Sequence, residues 1–267
     1  MRKSPANTPI IGYGTPVAPW RGMNVSLYQA ASALTAAARW QEVVSENLAS
    51  ASIPGYKKQE LSFGTVEAGL LQAQNGTRAA LPKALTNTSF QTGEIRHTGV
   101  NTDVAIDGPG FFEVQLANGS TAYTRDGEFQ VSAQGQLVTK QGYAVLGQNG
   151  PIQLDRTNRT PVSISATGDI SQGSEVKAKL KIVTVDHPNM LTQISGGYFL
   201  AENPNVQANT AAQPSLRQGF LESSNTSSMI EMANLIRSMR SFEANQRVIQ
   251  MQDDRMGQAI TDLGSPT

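Results

Sequence analysis

The chain has 267 residues, with Lys+Arg 21 balanced by Asp+Glu 21 and a charged fraction of 16%. That balance gives no electrostatic reason to expect nucleic acid or a membrane surface as a partner. There is no cysteine and only two histidines, His97 and His187. Disulfides and thiolate metal sites are therefore excluded, and a His-based catalytic centre or a cofactor would have little to hold it.

The chain starts Met1-Arg2-Lys3, but Pro5, Pro9, Pro16 and Pro19 follow where a signal peptide needs an apolar core. Residues 1–23 read as a disordered leader or a misassigned start. No apolar run reaches the ~18 residues of a membrane span, so no membrane insertion is expected.

Residues 24–54 carry helical periodicity. Leu27, Leu34, Val44 and Leu48 recur at heptad spacing among alanines, with Gln41 as a polar exception, and Pro54-Gly55 stops the pattern. Small residues on such a stripe allow a partner helix to approach closely. Residues 55–94 are rich in Gln, Asn, Ala and Thr, show little periodicity, and read as an extended connecting arm.

The period then changes to two. Phe112, Val114 and Leu116 alternate with Glu113 and Gln115, and Asn118-Gly119 predicts a type I′ turn. Glycine pairs punctuate the following segments, and Lys179–Val185 is a further strand. Residues 95–205 are predicted to form a β domain of short strands, with 206–224 as the return connection.

Residues 225–263 repeat the helical logic. Met232, Leu235, Met239, Phe242, Ile249, Met256 and Ile260 fall on one heptad stripe, with Gln246 and Asp253 as polar exceptions. Asn225 or Thr226 would cap the start, and Gly264 with Pro266 marks the stop. A helix of about 35–39 residues runs ~50 Å or more, longer than one small domain covers. Its uncovered stripe points to other subunits as partners. The expected fold is α+β: long N- and C-terminal helices form a coiled-coil-like unit, and an all-β domain is inserted between them.

Catalytic chemistry finds little support. Asp103, Asp107 and Asp126 are the only candidate carboxylate set, and Asp107-Gly108 and Asp126-Gly127 read as turn aspartates. Gly108-Pro109-Gly110 precedes a strand instead of linking a strand to a helix, so it is a turn and not a phosphate loop. Lys57-Lys58 is too short for nucleic acid and reads as a solvated or interfacial boundary. The two histidines read as surface or hydrogen-bonded residues.

Several motifs resemble one family. Asn47-Leu48-Ala49 followed by Ile53-Pro54-Gly55-Tyr56-Lys57 is similar to the N-terminal signature of flagellar rod and hook proteins, departing from it at Ser50 and Ile53. Asp103-Val104-Ala105-Ile106-Asp107-Gly108-Pro109-Gly110-Phe111-Phe112 and Tyr123-Thr124-Arg125-Asp126-Gly127 resemble the family's core in order and spacing. Leu221 to Asn225 and Met232 to Glu243 resemble its C-terminal stretch. Val145 to Ile152 and the short segment before Asp103 resemble the proximal rod type; a distal rod or hook-type subunit is the nearer alternative.

The resemblance implies a non-enzymatic subunit of the basal-body rod, in the periplasm, polymerised with copies of itself and with other rod subunits. It also implies export by the flagellar type III apparatus without a cleaved signal. The residues expected at the assembly interface are Leu27, Leu34, Gln41, Val44, Asn47, Leu48, Met232, Leu235, Met239, Phe242, Gln246, Ile249, Met256 and Ile260. A wall hydrolase using the three aspartates, and an oligomeric adaptor with a helical stalk, are the alternatives from other classes.

Overall fold

A computed structural model describes residues 21–72, 78–158, 160–203 and 206–264; side chains of 21–29, 63, 65–83, 259 and 263–264 lie outside the description. The leader expected over 1–23 falls outside it except for its last three residues, which begin the first helix. The side chain of Leu27 falls outside it too.

Helix α1 spans Arg21–Ala49. Two long strands follow, β1 (Gln59–Gln72) and β2 (Arg78–Thr88), paired as an antiparallel ribbon with Gln59 opposite Thr88. The short strands come next: β3 (Ile95–His97), β4 (Val104–Ile106), β5 (Phe111–Gln115), β6 (Thr121–Thr124), β7 (Phe129–Val131), β8 (Leu137–Thr139), β9 (Ala144–Gly147) and β10 (Gly150–Pro151). After them run β11 (Val162–Ile164), β12 (Asp169–Gln172), β13 (Glu175–Lys179), β14 (Ile182–Val185), β15 (Thr192–Ile194), β16 (Tyr198–Leu200), β17 (Ala208–Thr210), β18 (Leu216–Gln218) and β19 (Phe220–Glu222). Helix α2, Ser228–Gly264, ends the described chain.

The largest sheet has the strand path β15-β16-β6-β5-β9-β8-β7, with β14 also on β5 and β17 on β14. Its β5 strand is covered on both faces. Phe112 and Val114 enter one cluster with Val104, Ile106, Leu137, Ile170 and Ile182, while Phe111 enters a second with Tyr123, Val183 and Phe199. Burying such side chains is worth about 1.5–3 kcal/mol each. Two further ladders, β4 with β18 and β3 with β19, draw residues 95–106 beside 216–222. The chain's late segments are thereby threaded back to the start of the β region.

The turn after β5 differs from the type I′ expectation. Only Gly119 has positive φ, at 84°, and Asn118 does not share it. The Gly119 N–H bonds to the Leu116 carbonyl at 2.9 Å, and the Asn118 side chain accepts the Ser120 N–H at 3.0 Å. Asn118 satisfies the loop with its own carbonyl, so it need not enter the left-handed region.

The expected fold class is corrected. The molecule is mostly β-sheet, with one long C-terminal helix and a shorter N-terminal one, and the two do not form a coiled coil of long helices. Two findings overturn it. First, α1 packs on the β1–β2 ribbon as well as on α2, so its burial is not a single narrow seam: Ala36, Ala37, Val43 and Val44 are all buried. Second, α2 is rotated by one residue from the expected stripe. Its more covered face runs through Glu231, Leu235, Ser238, Phe242, Asn245, Ile249, Gln252 and Met256. Half of those residues are polar, whereas Met232, Met239, Gln246 and Ile260 are exposed. Small and polar residues at the contact let the helices approach, but they cannot zip an apolar seam.

The helix ends also shift. α1 stops at Ala49, ahead of Pro54, and a turn over 50–55 intervenes. Neither expected cap holds α2: the Asn225 side chain is bonded elsewhere, and the Thr226 hydroxyl is buried with no partner among the described residues.

The one-residue rotation is testable. Ser238 is fully buried and Met239 is 47% exposed. Ser238→Leu should overpack the contact and cost about 1–3 kcal/mol. Met239→Ser should stay within about 0.5 kcal/mol in the isolated protein. Urea unfolding of both variants decides, since a seam through Met239 would reverse the order.

Candidate functional site

The most unusual chemistry in the molecule is a cluster of buried charges where the two ends of the chain meet. After α1, the turn over 50–55 needs a left-handed residue, and Gly55 supplies it at φ 67°. A Cβ there would sit 2.3 Å from the Arg125 backbone carbon. Glycine is thus required both by the turn and by the close approach of the 125–126 backbone. The Gly55 N–H donates to the Glu222 carbonyl at 2.7 Å.

Two residues on, Lys57 is buried to 1% exposure. Its ammonium donates to Glu222 Oε1 at 2.5 Å and to the Gln91 carbonyl at 2.7 Å. Glu222, also at 1% exposure, accepts the Gly93 N–H on Oε1 at 2.8 Å and the Arg125 guanidinium on Oε2 at 3.3 Å. Arg125 in turn donates to the Gly108 carbonyl at 2.9 Å and lies over the Phe111 ring, 5.3 Å from its centre. Burial pulls the Lys57 ammonium below the usual lysine range, and the Glu222 carboxylate opposes that pull.

Two asparagines extend the junction. Asn47, at the end of α1, bonds both backbone groups of Gln59, with its amide to the carbonyl at 2.8 Å and its oxygen to the N–H at 2.9 Å. The Tyr56 hydroxyl donates to the same oxygen at 3.2 Å, and burial pushes that phenol up to about 12. Asn225 accepts the Lys58 N–H at 2.8 Å and donates to the Ser89 and Gln91 carbonyls. One carboxylate and two amides therefore tie α1, residues 54–59, 89–93 and 125, and the approach to α2.

Nothing in this geometry resembles an acid/base pair aimed at a substrate. Asp103 accepts the Thr98 hydroxyl at 2.6 Å, Asp107 pairs with Arg217 at 2.6 Å, and Asp126 accepts the Glu128 N–H at 2.9 Å. Each carboxylate is engaged in holding its own loop or ladder. Among the described residues no group of His, Asp and Glu could hold a metal ion, and no helix is long and apolar enough to cross a membrane.

Comparison with known proteins now bears on the junction. Residues 105–172 match the family model described as flagellar hook protein FlgE/F/G D1 domain, and 217–262 match flagellar basal body rod FlgEFG protein C-terminal. The chain is 32% identical over 251 residues to the flagellar basal-body rod protein FlgF of Caulobacter vibrioides, covering 91% of this chain and 99% of that protein. The chain belongs to the flagellar basal-body rod protein family. Further relatives are FlgF of Salmonella typhimurium (30% identical, 89% of this chain, 97% of that protein) and FlgG of Buchnera aphidicola subsp. Schizaphis graminum (30%, 83% and 92%).

Much of the motif set of this rod-protein chain converges on the junction. Asn47, Gly55, Tyr56, Lys57, Gly108, Phe111 and Arg125 meet there. Pro54 belongs to the turn beside it, and Gly110 approaches Ile182. Phe112, Tyr123 and Thr124 lie in the sheet core behind it, and Asp126-Gly127 continues the Arg125 segment. The expected interface residues of α2 are not part of it. Of the solvated or interfacial boundary expected at Lys57-Lys58, the solvated reading fails for Lys57, which is a buried ion between distant segments of the chain, while Lys58 keeps a partly exposed side.

Sequence reasoning assigned Glu222 no role and gave Asn225 only that of a helix cap, although both sit in the Leu221–Asn225 match. A carboxylate directly following the apolar pair Phe220-Leu221 was the available signal. Its partner lies 165 residues away, which no local pattern reveals.

Two outcomes follow. Glu222→Gln leaves two buried cations without their counter-ion and should cost about 3–5 kcal/mol in denaturant unfolding; a cost below 1 kcal/mol would contradict the junction's role.

Burial raises the Asp126 carboxyl from 3.8 to about 6. The protonated form is the one favoured in the fold, so this contribution is full below the unfolded value and is lost as pH rises through 6. Thermal and urea stability should fall by about 1–1.5 kcal/mol from pH 5 to 7.5. Asp126→Asn should flatten that dependence.

Proposed function

We propose that this chain is a structural subunit of the flagellar basal-body rod, of the proximal type, that polymerises with copies of itself and with other rod subunits. One observation carries the reading: near end-to-end similarity to proteins named as basal-body rod proteins, with the matching motifs gathered into a buried structural junction. No group at that junction is presented for chemistry on a substrate.

The surface of α2 supports polymerisation. Met232, Ile236 and Met239 are exposed on one face of its first turns, and Met251 and Ile260 are exposed further along on other faces. Isolated exposed apolar residues are ordinary, but three together on one helix face need cover. In this reading Leu34, Val44, Asn47 and Leu48 hold α1 in place, and the outward residues of α2 meet neighbouring subunits. Repeated contacts that do not close into a ring would build a helical tube.

Export by the flagellar type III apparatus and a periplasmic rod location belong to the same reading. The junction fits it physically: Lys57 and Glu222 are so far apart in the chain that a subunit delivered unfolded completes the junction only when both segments have arrived. Similarity to proteins named FlgG keeps a distal position as the second reading, and a map of an assembled rod would separate the two.

The test joins imaging to motility. Deleting the gene should remove the rod from isolated basal bodies while the export gate remains, and restoring it should return both rod and swimming. Met232→Asp with Ile236→Asp should leave the isolated protein within about 1 kcal/mol of its parent stability and yet abolish rod formation. An intact rod in the deletion strain sinks the proposal.

A further inference from the structure

Three Asn-Gly pairs punctuate the chain, at 75–76, 118–119 and 149–150. The first lies outside the described residues. The other two close turns of the β region, and the fold treats their side chains differently. Asparagine before glycine is chemically labile, because no side chain shields the amide nitrogen that follows it.

Asn118 is tied down. Its Oδ1 accepts the Ser120 N–H at 3.0 Å and the Ser120 hydroxyl at 2.6 Å. The Gly119 N–H donates to the Leu116 carbonyl at 2.9 Å, and the Leu116 N–H donates to the Ser120 carbonyl at 2.9 Å. The β5–β6 ladder, which closes with Gln115 opposite Thr121, holds the base of this turn.

Asn149 is not held in this way. It is exposed in the turn between β9 and β10, and its side chain has no hydrogen-bond partner among the described residues. Strand β10 is only Gly150–Pro151, with Gly150 opposite Gly147 on β9. Pro151 has no N–H, so Gly150 is the one donor that β10 can bring to the ladder. A ladder this short opens locally at little cost. Around Gly150 there is room, since nothing lies within 4 Å of where a Cβ would stand.

We propose that Asn149 is a site of spontaneous covalent modification, and that the fold directs this chemistry to Asn149 and away from Asn118. Once the Gly150 nitrogen has lost its proton to hydroxide, it attacks Asn149 Cγ. The N–Cγ bond forms, the Cγ–Nδ2 bond breaks, and Nδ2 leaves as ammonia with a proton from water. The result is a five-membered cyclic imide. Water then adds to one of its two carbonyls. Opening at Cγ gives aspartate, and opening at the main-chain carbonyl gives isoaspartate, in which the backbone runs through Cβ and Cγ. The net change is amide plus water to carboxylic acid plus ammonia, with no oxidant or cofactor.

Both products add one negative charge to a chain in which Lys+Arg 21 balance Asp+Glu 21. Isoaspartate also lengthens the backbone by a methylene inside the turn, which disturbs the match of Gly150 with Gly147. Just inside that pair, the Ile152 N–H donates to the Val145 carbonyl at 3.1 Å, and both side chains are buried. That bond confines the disturbance to the hairpin tip. The inference does not rest on the rod reading.

The test ages the full-length protein at mildly alkaline pH, folded and in urea, with trypsin digestion at intervals. Peptide 141–156 carries Asn149 as its sole asparagine, and peptide 97–125 carries Asn118. In the folded sample the amide-to-acid mass gain at Asn149 should run about ten-fold or more faster than at Asn118. In urea the two rates should converge, because unfolding removes the Ser120 bonds. Enzymatic methylation of isoaspartyl groups should label peptide 141–156 of the aged folded protein. Asn149→Gln should abolish the gain in that peptide while the circular dichroism spectrum stays the same. No gain at Asn149 in the folded protein, an equal or faster gain at Asn118, or a preference for Asn149 that persists in urea would overturn the proposal. These readouts are the same whether or not the chain builds a rod.

Discussion

The fold depends on one carboxylate. Glu222 collects a lysine from the N-terminal turn, an arginine from the sheet and a backbone N–H from the connecting segment. Taking such charges out of water costs several kcal/mol per ion, and that cost is met only when every partner is in place. The junction therefore acts in an all-or-none way. Residue 222 is held there by β19 on β3, and Lys57 is held there by Gly55, whose shape admits the Arg125 backbone. Shift either element by one residue, and the carboxylate meets neither cation.

The same arrangement explains how the helices are used. α1 spends its apolar residues inward, against the ribbon and against α2. α2 turns glutamate, serine, asparagine and glutamine toward the covered side, interleaved with Leu235, Phe242, Ile249 and Met256. A contact so polar is weak by area, and the asparagine and carboxylate bonds at the base of the helices anchor them instead. The apolar residues that a self-sufficient helix pair would bury are left outside.

Part of this was readable in the sequence. The β region was legible because Phe112 and Val114 alternate with polar residues and glycines punctuate the strands. The motif residues were legible by resemblance, and they do converge. The rotation of α2 was not legible. Heptad counting cannot separate a stripe through Met232 and Met239 from one through Glu231 and Ser238, because the two share Leu235, Phe242, Ile249 and Met256. The apolar stripe marks the surface that seeks cover, and it does not tell which face the chain's own N-terminal helix takes and which is left for other subunits. The burial of Lys57 was hidden for a different reason. Local composition marks a lysine as solvated, and the anion that makes burial possible lies at the far end of the chain.

Stability alone does not account for a charged junction. Apolar residues of matching volume at Lys57 and Glu222 would bury without the desolvation cost, and such replacements are often neutral or stabilising. What they would lose is discrimination. A Met or Leu pair is satisfied by many neighbours and many registers, whereas a buried Glu222 without Lys57 and Arg125 is penalised in every alternative pairing. The protein must bring together segments that are distant in sequence and joined by ladders of only three residues, β3 with β19 and β4 with β18. Ladders that short define register weakly by themselves. A single buried anion with directional partners supplies the register that they lack, and it places α2 at a fixed position relative to the sheet, with its exposed row facing outward.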